Sequence, residues 1–342
     1  MLVGDNASGK TSVLEALRFQ SALDDSNPVG VLRGEWQPAD LVRRGAPEPM
    51  VLESSGARNE QEWQTTLELR LTPEGPDDRQ RSWNMTIQGK LGEQSLEGNA
   101  RGQDGSGSAN WPPSMLRSTM GSVVFYTLRP GQIAAPGYSE RPDARVAADG
   151  TNTAVVLAAM KLADDEAFDR IEETLCQLVP AVQRIRIRRA RVPEGPEGFS
   201  VMGNQLYFDF RGAPDVPAHA ASHGTLLVLA LLTILHDTNR PDLILLDELE
   251  QSLHPRAQME VVRTIKKLLD QTKDLQIVAT THSPYMLDEL DPSEIHGFAL
   301  RDDGTVATRL LSEHPEAEKM KGTLTAGQLW SLDPERYWVL RE

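Results

Sequence analysis

The segment LVGDNASGKTSVLEAL, residues 2–17, constrains the fold of this chain more than any other stretch. Gly4, Gly9, Lys10 and Thr11 stand at the spacing G-x-x-x-x-G-K-[ST], after a short apolar strand and before a helix. At that spacing, backbone N–H groups surround a β-phosphate, the lysine ammonium reaches the β- and γ-phosphate oxygens, and the threonine hydroxyl binds Mg²⁺. The positive end of the helix attracts the same anion. The sequence therefore predicts a phosphate-binding loop.

Length and composition favour a soluble intracellular enzyme without naming its reaction. The 342 residues suffice for one α/β domain with insertions or for two domains. Cys176 is the single cysteine, so a disulfide framework is excluded, and its place on an amphipathic helix favours a buried thiol over a reactive one. The longest apolar run, residues 226–235, is too short to span a bilayer. We expect a cytoplasmic protein with no integral membrane contact.

The balance of charges is strongly acidic. The chain has 35 Lys and Arg against 50 Asp and Glu, a net charge of −15, which argues against a general nucleic-acid coat but permits a local basic groove. The best candidate is QRIRIRRAR, residues 183–191, where Arg184, Arg186 and Arg188 would share one face of a strand. Two interpretations stay open. A solvated edge that discourages strand pairing is favoured over a contact with nucleic acid or a partner.

The first third of the chain predicts strands. Only residues 1–3 precede Gly4, whereas a nucleotide-binding sheet normally has further strands there, so we expect strands to be missing or replaced by a partner. Residues 49–54, 63–71 and 81–88 are rich in β-branched and aromatic residues and predict an antiparallel layer. Residues 89–113 are rich in Gly, Ser and Asn, which predicts a flexible loop.

The middle of the chain alternates between strand and helix signals. Residues 122–128 predict a buried strand, and Gln132 follows it. This glutamine either senses a γ-phosphate or is an ordinary loop residue, and the second interpretation is favoured. Residues 151–179 predict a helical segment, with strands near Phe199 and Tyr207 after it. No heptad repeat persists, so no long coiled-coil arm is expected.

Two adjacent acids follow the apolar strand DLILL, residues 242–246. In parallel α/β sheets ligands bind at the carboxyl ends of strands, which is where Asp247 and Glu248 would lie. Buried strands also end in an acid for solubility alone, but Glu250 and the sequence LHP after the pair favour a functional site. We expect Asp247 to hold Mg²⁺ through its water shell and Glu248 to orient and deprotonate a water molecule.

Two further segments suit phosphate binding. LQIVATTHSP, residues 275–284, predicts a core strand that ends at His282, and a histidine there can contact a γ-phosphate, although a lone histidine is usually structural. ASHGTLLVLALL places Ser222 and Gly224 at the start of a buried helix, which is a second anion site. One nucleotide does not need two such sites, so the second is expected to serve a nucleotide bound to another subunit.

Four of these segments resemble the motifs of ABC-type ATPases. GDNASGKT, ASHGT, LILLDELEQSLHP and TTHSP are similar to the Walker A, signature, Walker B with D-loop, and switch-histidine motifs, and their form is closest to the soluble branch that includes the SMC, RecF and OLD-type proteins. RRGAPEP, ADGTN and TAGQLW resemble the small stand-alone AAA family ATPases. The implied fold is an α/β P-loop NTPase with a mostly parallel core sheet flanked by helices, an antiparallel β layer and a helical lobe.

The resemblance also implies a domain plan. One ABC-type ATPase domain would cover residues 1–312, with a nucleotide-binding lobe at 1–130 and 236–312, a middle lobe carrying the signature at 131–235, and the flexible loop at 89–113. Residues 313–342 would form a C-terminal tail. His223 departs from the small or polar residue that is common at its signature position.

The resemblance further implies a head-to-tail homodimer that encloses two ATP·Mg²⁺. Thr11 and Asp247 would hold the metal, Glu248 would be the catalytic base and His282 would sense the γ-phosphate. The implied nucleotide contacts are Gly4, Asp5, Asn6, Ala7, Ser8, Gly9, Lys10, Thr11 and Ser12 of one subunit, with Ser222 and Gly224 of the other.

Three functions are compatible with these motifs. The leading one is an ATP-driven switch in anti-phage defence or DNA repair that signals to a separately encoded, nuclease-like effector. The second is the nucleotide-binding subunit of a membrane transporter, although the forms DExE-LHP and THSP and the lack of LSGGQ argue against it. The third is a scaffold that binds ATP without hydrolysing it, against which the intact pair Asp247 and Glu248 speaks.

Overall fold

The computed structural model of the chain divides into two compact units, Met1–Leu14 with Val124–Glu342, and Glu15–Val123. This division differs from the expected lobes. We grouped residues 15–123 with residues 236–312, whereas in the structure residues 15–123 cluster by themselves around their own core. The structure describes residues 1–25, 28–32, 36–42, 48–58, 60–71, 82–103, 106–111, 121–139, 144–192, 201–272 and 274–341.

In chain order the strands are β1 (Leu2–Gly4), β2 (Met50–Arg58), β3 (Gln61–Leu71), β4 (Trp83–Leu91), β5 (Gln94–Gln103), β6 (Ser106–Asn110), β7 (Val123–Tyr126), β8 (Val182–Val192), β9 (Val201–Phe210), β10 (Ala213–Pro217), β11 (Leu243–Leu246), β12 (Gln276–Ala279), β13 (His296–Leu300) and β14 (Val306–Leu310). The α-helices are α1 (Lys10–Asp25), α2 (Pro28–Val31), α3 (Pro38–Leu41), α4 (Pro130–Ala134), α5 (Thr153–Ala163), α6 (Asp165–Leu178), α7 (His223–His236), α8 (Pro255–Gln271), α9 (Pro284–Leu287), α10 (Ala317–Met320), α11 (Ala326–Trp330) and α12 (Glu335–Val339). None of the helices in these described ranges is long and apolar enough to cross a bilayer.

The first unit is built on a mostly parallel sheet, as predicted. Its strands run in the orders β14-β13-β1 and β12-β11-β7, and a parallel bridge between Leu2 and Thr280 joins the two groups. The pairs β1 with β13 and β11 with β12 are parallel, while β14 is antiparallel to β13. All four residues of β11 are buried, which is typical of a strand covered on both faces. The carboxyl ends of β1, β11 and β12 therefore lie at one edge of the sheet.

Helices and a smaller sheet complete the main core of this unit. The apolar helix α7 has ten buried residues and packs with α5 and α6. The expected single helical segment at residues 151–179 is two helices, because the Asp164 side chain accepts a hydrogen bond from the Ala167 N–H and starts α6 there. Cys176 on α6 is half-buried, and burial raises the pKa of its thiol, which fits the unreactive interpretation.

The arginine-rich segment forms the edge strand β8 of the sheet β10-β9-β8. Ile185 is buried and Arg184 and Arg188 are exposed, as expected of arginines on the outer face of the strand, whereas Arg186 is half-buried. Arg186 forms an ion pair with Asp209, and Arg188 with Asp215, so part of the positive charge is neutralised within the sheet. These pairs agree with the favoured interpretation of an edge strand.

The second unit contains the predicted antiparallel layer, in the order β2-β3-β4-β5-β6. Our expectation of a flexible loop at residues 89–113 was wrong where the structure describes this range, since β4, β5 and β6 pair through it. The reason is that the small residues in this range allow the strands to pack closely and do not make the segment flexible. Leu96, Gly98 and Ala100 alternate toward the core, and a Cβ on Gly89 would lie 2.3 Å from the carbonyl oxygen of Gln64. Residues 112 and 113 lie outside the described residues, as do Phe199 and residues 43–47 of RRGAPEP.

The expected C-terminal tail is packed onto the first unit. Leu329, Trp338 and Val339 share a core cluster with Val3 of β1. Trp338 lies directly against Gly297 of β13, where an added Cβ would be 2.2 Å from its ring. Residues 313–341 are therefore an integral part of this core.

Candidate nucleotide site

The predicted phosphate-binding loop connects β1 to α1. Gly4 has φ 145° and Gly9 has φ 92°, and Ala7 between them also has a positive φ of 63°. A Cβ on Gly4 would lie 2.4 Å from the carbonyl oxygen of Phe298, so only glycine fits at this position. Asp5, Asn6, Ala7 and Ser12 are exposed, whereas Ser8 is buried. The backbone thus turns tightly through this loop, and the side chains at its tip, residues 5–7, are exposed.

Lys10 is a buried cation at the end of this loop. Its ammonium donates hydrogen bonds to the carbonyl oxygens of Gly4 and Asp5, both at 2.8 Å, and the residue is 6% exposed. Burial lowers the pKa of Lys10, while nearby carboxylates, Glu335 first among them, act in the opposite direction. The Ser8 hydroxyl is also buried and has no hydrogen-bond partner among the described residues. A buried ammonium and an unpaired hydroxyl around one loop fit a polyphosphate group.

Asp247 follows β11 and meets the loop through Thr11. The Thr11 hydroxyl donates to Asp247 Oδ2 at 3.0 Å, and the Thr280 hydroxyl donates to Asp247 Oδ1 at 2.5 Å. A hydroxyl oxygen and a carboxylate side by side are the hard oxygen ligands that Mg²⁺ prefers. The two residues predicted to hold the metal are therefore together in the folded chain, although 236 positions separate them.

Glu248 is exposed and has an unusual backbone conformation. Its φ is 49°, in the left-handed region that few non-glycine residues adopt. The Glu248 N–H donates to the Thr280 hydroxyl at 2.8 Å, and the Leu249 N–H donates to the Thr280 carbonyl oxygen at 3.1 Å. Non-glycine residues held in this conformation cluster at functional sites.

His282 follows β12 at the same edge of the sheet and is half-buried. Its backbone N–H donates to Glu250 Oε1 at 2.8 Å, and the Thr281 hydroxyl donates to Glu250 Oε2 at 2.7 Å. The sequence motifs gave no role to Thr280 or Thr281, and Glu250 served only as a sign that the acid pair before it is functional. The signals present were the doubled threonine before the histidine and the acid two positions after Glu248.

Ser222 and Gly224 lie apart from this network. Ser222 is the N-cap of α7, where its Oγ accepts from the Thr225 N–H at 3.2 Å, and its side chain is exposed. A Cβ on Gly224 would lie 2.7 Å from the Ser252 carbonyl oxygen. Both line a cavity of about 380 Å³. No hydrogen bond joins them to residues 4–11 in the part of the chain that the structure describes.

Gln132 lies within α4 rather than in a loop. It is exposed, and its Oε1 accepts a hydrogen bond from the Thr151 hydroxyl at 3.4 Å. This contact belongs to the turn before α5 and supports neither of the two interpretations in particular.

A strand-loop-helix phosphate cradle, an acidic pair after a neighbouring parallel strand and a histidine after the next strand define a P-loop ATPase domain of the ABC type. Residues 1–288 match the family described as "AAA domain, putative AbiEii toxin, Type IV TA system". The chain belongs to this family. Its remaining residues, 289–342, include β13, β14 and the packed C-terminal segment.

Two curated proteins are similar over shorter stretches. A stretch of 69 residues is 39% identical to the Septu protein PtuA of Bacillus thuringiensis, covering 20% of this chain and 17% of that protein. A stretch of 139 residues is 30% identical to Protein ea59 of Escherichia phage lambda, covering 40% of this chain and 24% of that protein. The matches thus span less than a quarter of the length of either relative.

The fold is shared with the heads of SMC proteins. An SMC head crystallised with the C-winged helix domain of ScpA superposes with a TM-score of 0.50 at 16% sequence identity, over 93% of this chain and 91% of that chain. At this identity the similarity shows the architecture alone. It agrees with the α/β fold that the motifs predicted.

Proposed function

We propose that the chain binds ATP with Mg²⁺ at the loop between β1 and α1 and hydrolyses it. The observation that carries this proposal is the direct contact between Thr11 and Asp247 beside the buried Lys10 ammonium. Membership of a P-loop ATPase family supports it. The proposed nucleotide contacts are Gly4, Asp5, Asn6, Ala7, Ser8, Gly9, Lys10, Thr11 and Ser12.

Each side chain has a distinct task in this proposal. Lys10 neutralises the polyphosphate, and Thr11 and Asp247 hold Mg²⁺, which neutralises charge on the β- and γ-phosphate oxygens when bound. Glu248 orients the attacking water and accepts its proton, and His282 contacts the γ-phosphate. In this scheme Glu248 is the proton acceptor and His282 is the hydrogen-bond donor. They follow β11 and β12, whose carboxyl ends lie at the same edge of the sheet.

We further propose that two copies enclose the nucleotides head to tail. The start of α7 is an exposed helix N-terminus with an open cavity beside it, which suits the γ-phosphate held by a second copy. Ser222 and Gly224 would make that contact. Gly224 lies so close to the Ser252 carbonyl oxygen that a larger residue at this position would have to displace it.

The biological role that we propose is a nucleotide-dependent switch acting on a separately encoded, nuclease-like effector, in anti-phage defence or DNA repair. The resemblance to SMC, RecF and OLD-type proteins supports this role, as do the family description and the similarity to the Septu protein PtuA. Contact with nucleic acid through β8 stays a secondary hypothesis. If the chain captures the protein encoded by the adjacent gene only in the presence of ATP, that result would support the proposal of a separately encoded effector.

Replacing Lys10 tests the proposed site directly. We expect Lys10→Ala to abolish ATP binding and phosphate release, because the loop then offers the polyphosphate only neutral donors. The chain should remain folded. Calorimetric titration with ATP·Mg²⁺ and circular dichroism measure the two properties. Lys319→Ala, at an exposed lysine paired with Glu316, is the matched control. Unchanged ATP affinity in Lys10→Ala would contradict the proposal.

A further inference from the structure

Glu250 joins two loops of the candidate site through both of its carboxylate oxygens. It lies in the loop after β11, two positions beyond Glu248. Its Oε2 accepts from the Thr281 hydroxyl at 2.7 Å and its Oε1 accepts from the His282 backbone N–H at 2.8 Å. Hydrogen bonds to an ionised acceptor are roughly twice as strong as those between neutral groups. The carboxylate therefore holds the backbone from which the His282 side chain departs.

The residues around this carboxylate are themselves fixed. Thr281 is fully buried, and its backbone N–H donates to the Leu2 carbonyl oxygen of β1 at 3.1 Å. The Thr281 hydroxyl also accepts from the Ser283 N–H at 3.1 Å. The segment that carries His282 is thus held between β1 on one side and Glu250 on the other, which leaves its backbone little freedom to move.

The loop after β11 is also joined to the segment after β12 through Thr280. Its hydroxyl accepts from the Glu248 N–H and donates to Asp247. The loop after β11 and the segment after β12 are therefore linked at consecutive positions, Asp247 and Glu248 through Thr280, and Glu250 through Thr281 and His282. A shift of the segment that carries His282 would break the contacts at each of these positions.

We propose that Glu250 is a positioning residue for ATP hydrolysis, which fixes the backbone of His282 so that its imidazole meets the γ-phosphate while Glu248 faces the attacking water. The inference rests on the proposed function, since it assigns Glu250 a task only if His282 contacts the nucleotide. Glu250 itself touches neither water nor phosphate in this scheme. It acts through the peptide group that it holds.

Amide hydrogen exchange on the nucleotide-free chain tests the link itself. In Glu250→Ala the His282 N–H loses its acceptor, so we expect its exchange to accelerate about tenfold or more, with the Val278 amide of β12 unchanged. Glu250→Gln should restore most of the protection, because its amide oxygen can still accept from His282. Glu173→Ala, at an exposed glutamate of α6, is the control. Unchanged protection of His282 in Glu250→Ala would overturn the proposal.

A double-mutant cycle tests the catalytic consequence. We expect Glu250→Ala to lower kcat about tenfold or more with KM for ATP within about threefold, and Glu250→Gln to recover most of the rate. Adding Glu250→Ala to His282→Ala should cost little beyond His282→Ala alone, because both remove the same contact. Additive losses would mean that Glu250 acts independently of His282. If the unchanged chain releases no phosphate, the proposed function fails with this inference, whereas additivity in an active chain overturns the inference alone.

Discussion

Thr280 illustrates how a single hydroxyl organises the candidate site. It is 1% exposed, accepts a hydrogen bond from the backbone of Glu248 and donates one to Asp247. A non-glycine residue in the conformation of Glu248 costs of order 1 to 3 kcal/mol, so surrounding contacts must hold it. The Thr280 hydroxyl supplies one of them.

Replacing this hydroxyl with a methyl group should therefore be costly. We expect Thr280→Val to lower the free energy of unfolding by about 1 to 3 kcal/mol, because it leaves the partly buried Glu248 N–H and an Asp247 carboxylate oxygen without their partner. Phosphate release should fall as well, since both acids lose their support. Urea denaturation and a phosphate assay measure these effects, and Thr280→Ser should retain both properties. A valine variant as stable and active as the unchanged chain would contradict this account.

The residues of the site were predictable from the sequence only where the signal is local. Lys10 and Thr11 belong to one loop of fixed spacing, and Asp247 follows an apolar strand, so each could be identified without knowledge of the fold. Thr280 could not, and Glu250 could be linked to a functional site but not to a particular task. Their roles come from the parallel pairing of β11 with β12, which aligns two loops that are about 30 residues apart in sequence.

At the scale of elements, the strands of the second unit show the same limit. The alternating apolar residues of β3 predicted that strand correctly, since a period of two is a direct signal. The strands β5 and β6 carry Gly, Ser and Ala where β3 carries Leu, and this composition resembles that of a flexible linker. They are strands because β5 pairs with β4 and β6 pairs with β5, and no local sequence pattern reports this pairing.

The C-terminal segment contains a histidine that should make stability depend on pH. The His314 side chain is fully buried, its Nδ1 accepts from the Glu316 N–H, and its Nε2 has no hydrogen bond among the described residues. Burial lowers the pKa of His314, although Asp333 and Glu316 act in the opposite direction. The folded chain therefore keeps this ring neutral at pH values where the unfolded chain would protonate it.

We expect the free energy of unfolding to fall as the pH drops below about 6.5, the pKa of an unperturbed histidine. The unfolded state binds the proton first, so acid favours unfolding in this range. Burial also lowers the pKa of His236, which acts in the same direction. Denaturation of the unchanged chain and of His314→Phe at pH 7 and pH 5.5 isolates the contribution of His314. An equal loss of stability in both would show that His314 contributes nothing.

At the scale of the whole molecule, the proposed dimer makes a prediction about mass. Glu248→Gln keeps the shape of the side chain but cannot accept a proton, so hydrolysis should fall by about 10²- to 10⁴-fold while binding survives. Because each nucleotide would be gripped by Lys10 of one copy and Ser222 of the other, blocked hydrolysis should accumulate an ATP-dependent dimer. Light scattering after size exclusion, with and without ATP·Mg²⁺, measures the mass.

A second substitution tests whether Ser222 lies in that interface. Glu248→Gln with Ser222→Arg should remain monomeric in ATP, because a bulky cation would occupy the place of the γ-phosphate at the start of α7. Glu248→Gln with Ser312→Arg, at an exposed serine elsewhere, should still dimerise. A dimer indifferent to Ser222→Arg, or a Glu248→Gln chain whose mass ignores ATP, would rule out the head-to-tail arrangement.

The six tryptophans are divided between the two units, so their fluorescence can be made specific for one unit. Trp36, Trp63, Trp83 and Trp111 fall within Glu15–Val123, whereas Trp330 and Trp338 belong to the packed C-terminal segment. Trp330 donates to Glu335, and Trp338 packs on the strand next to β1. Exchanging the first four for phenylalanine would leave a chain whose fluorescence reports on the unit that carries the nucleotide loop. Emission could then follow that unit alone as ATP is added or as denaturant unfolds the chain.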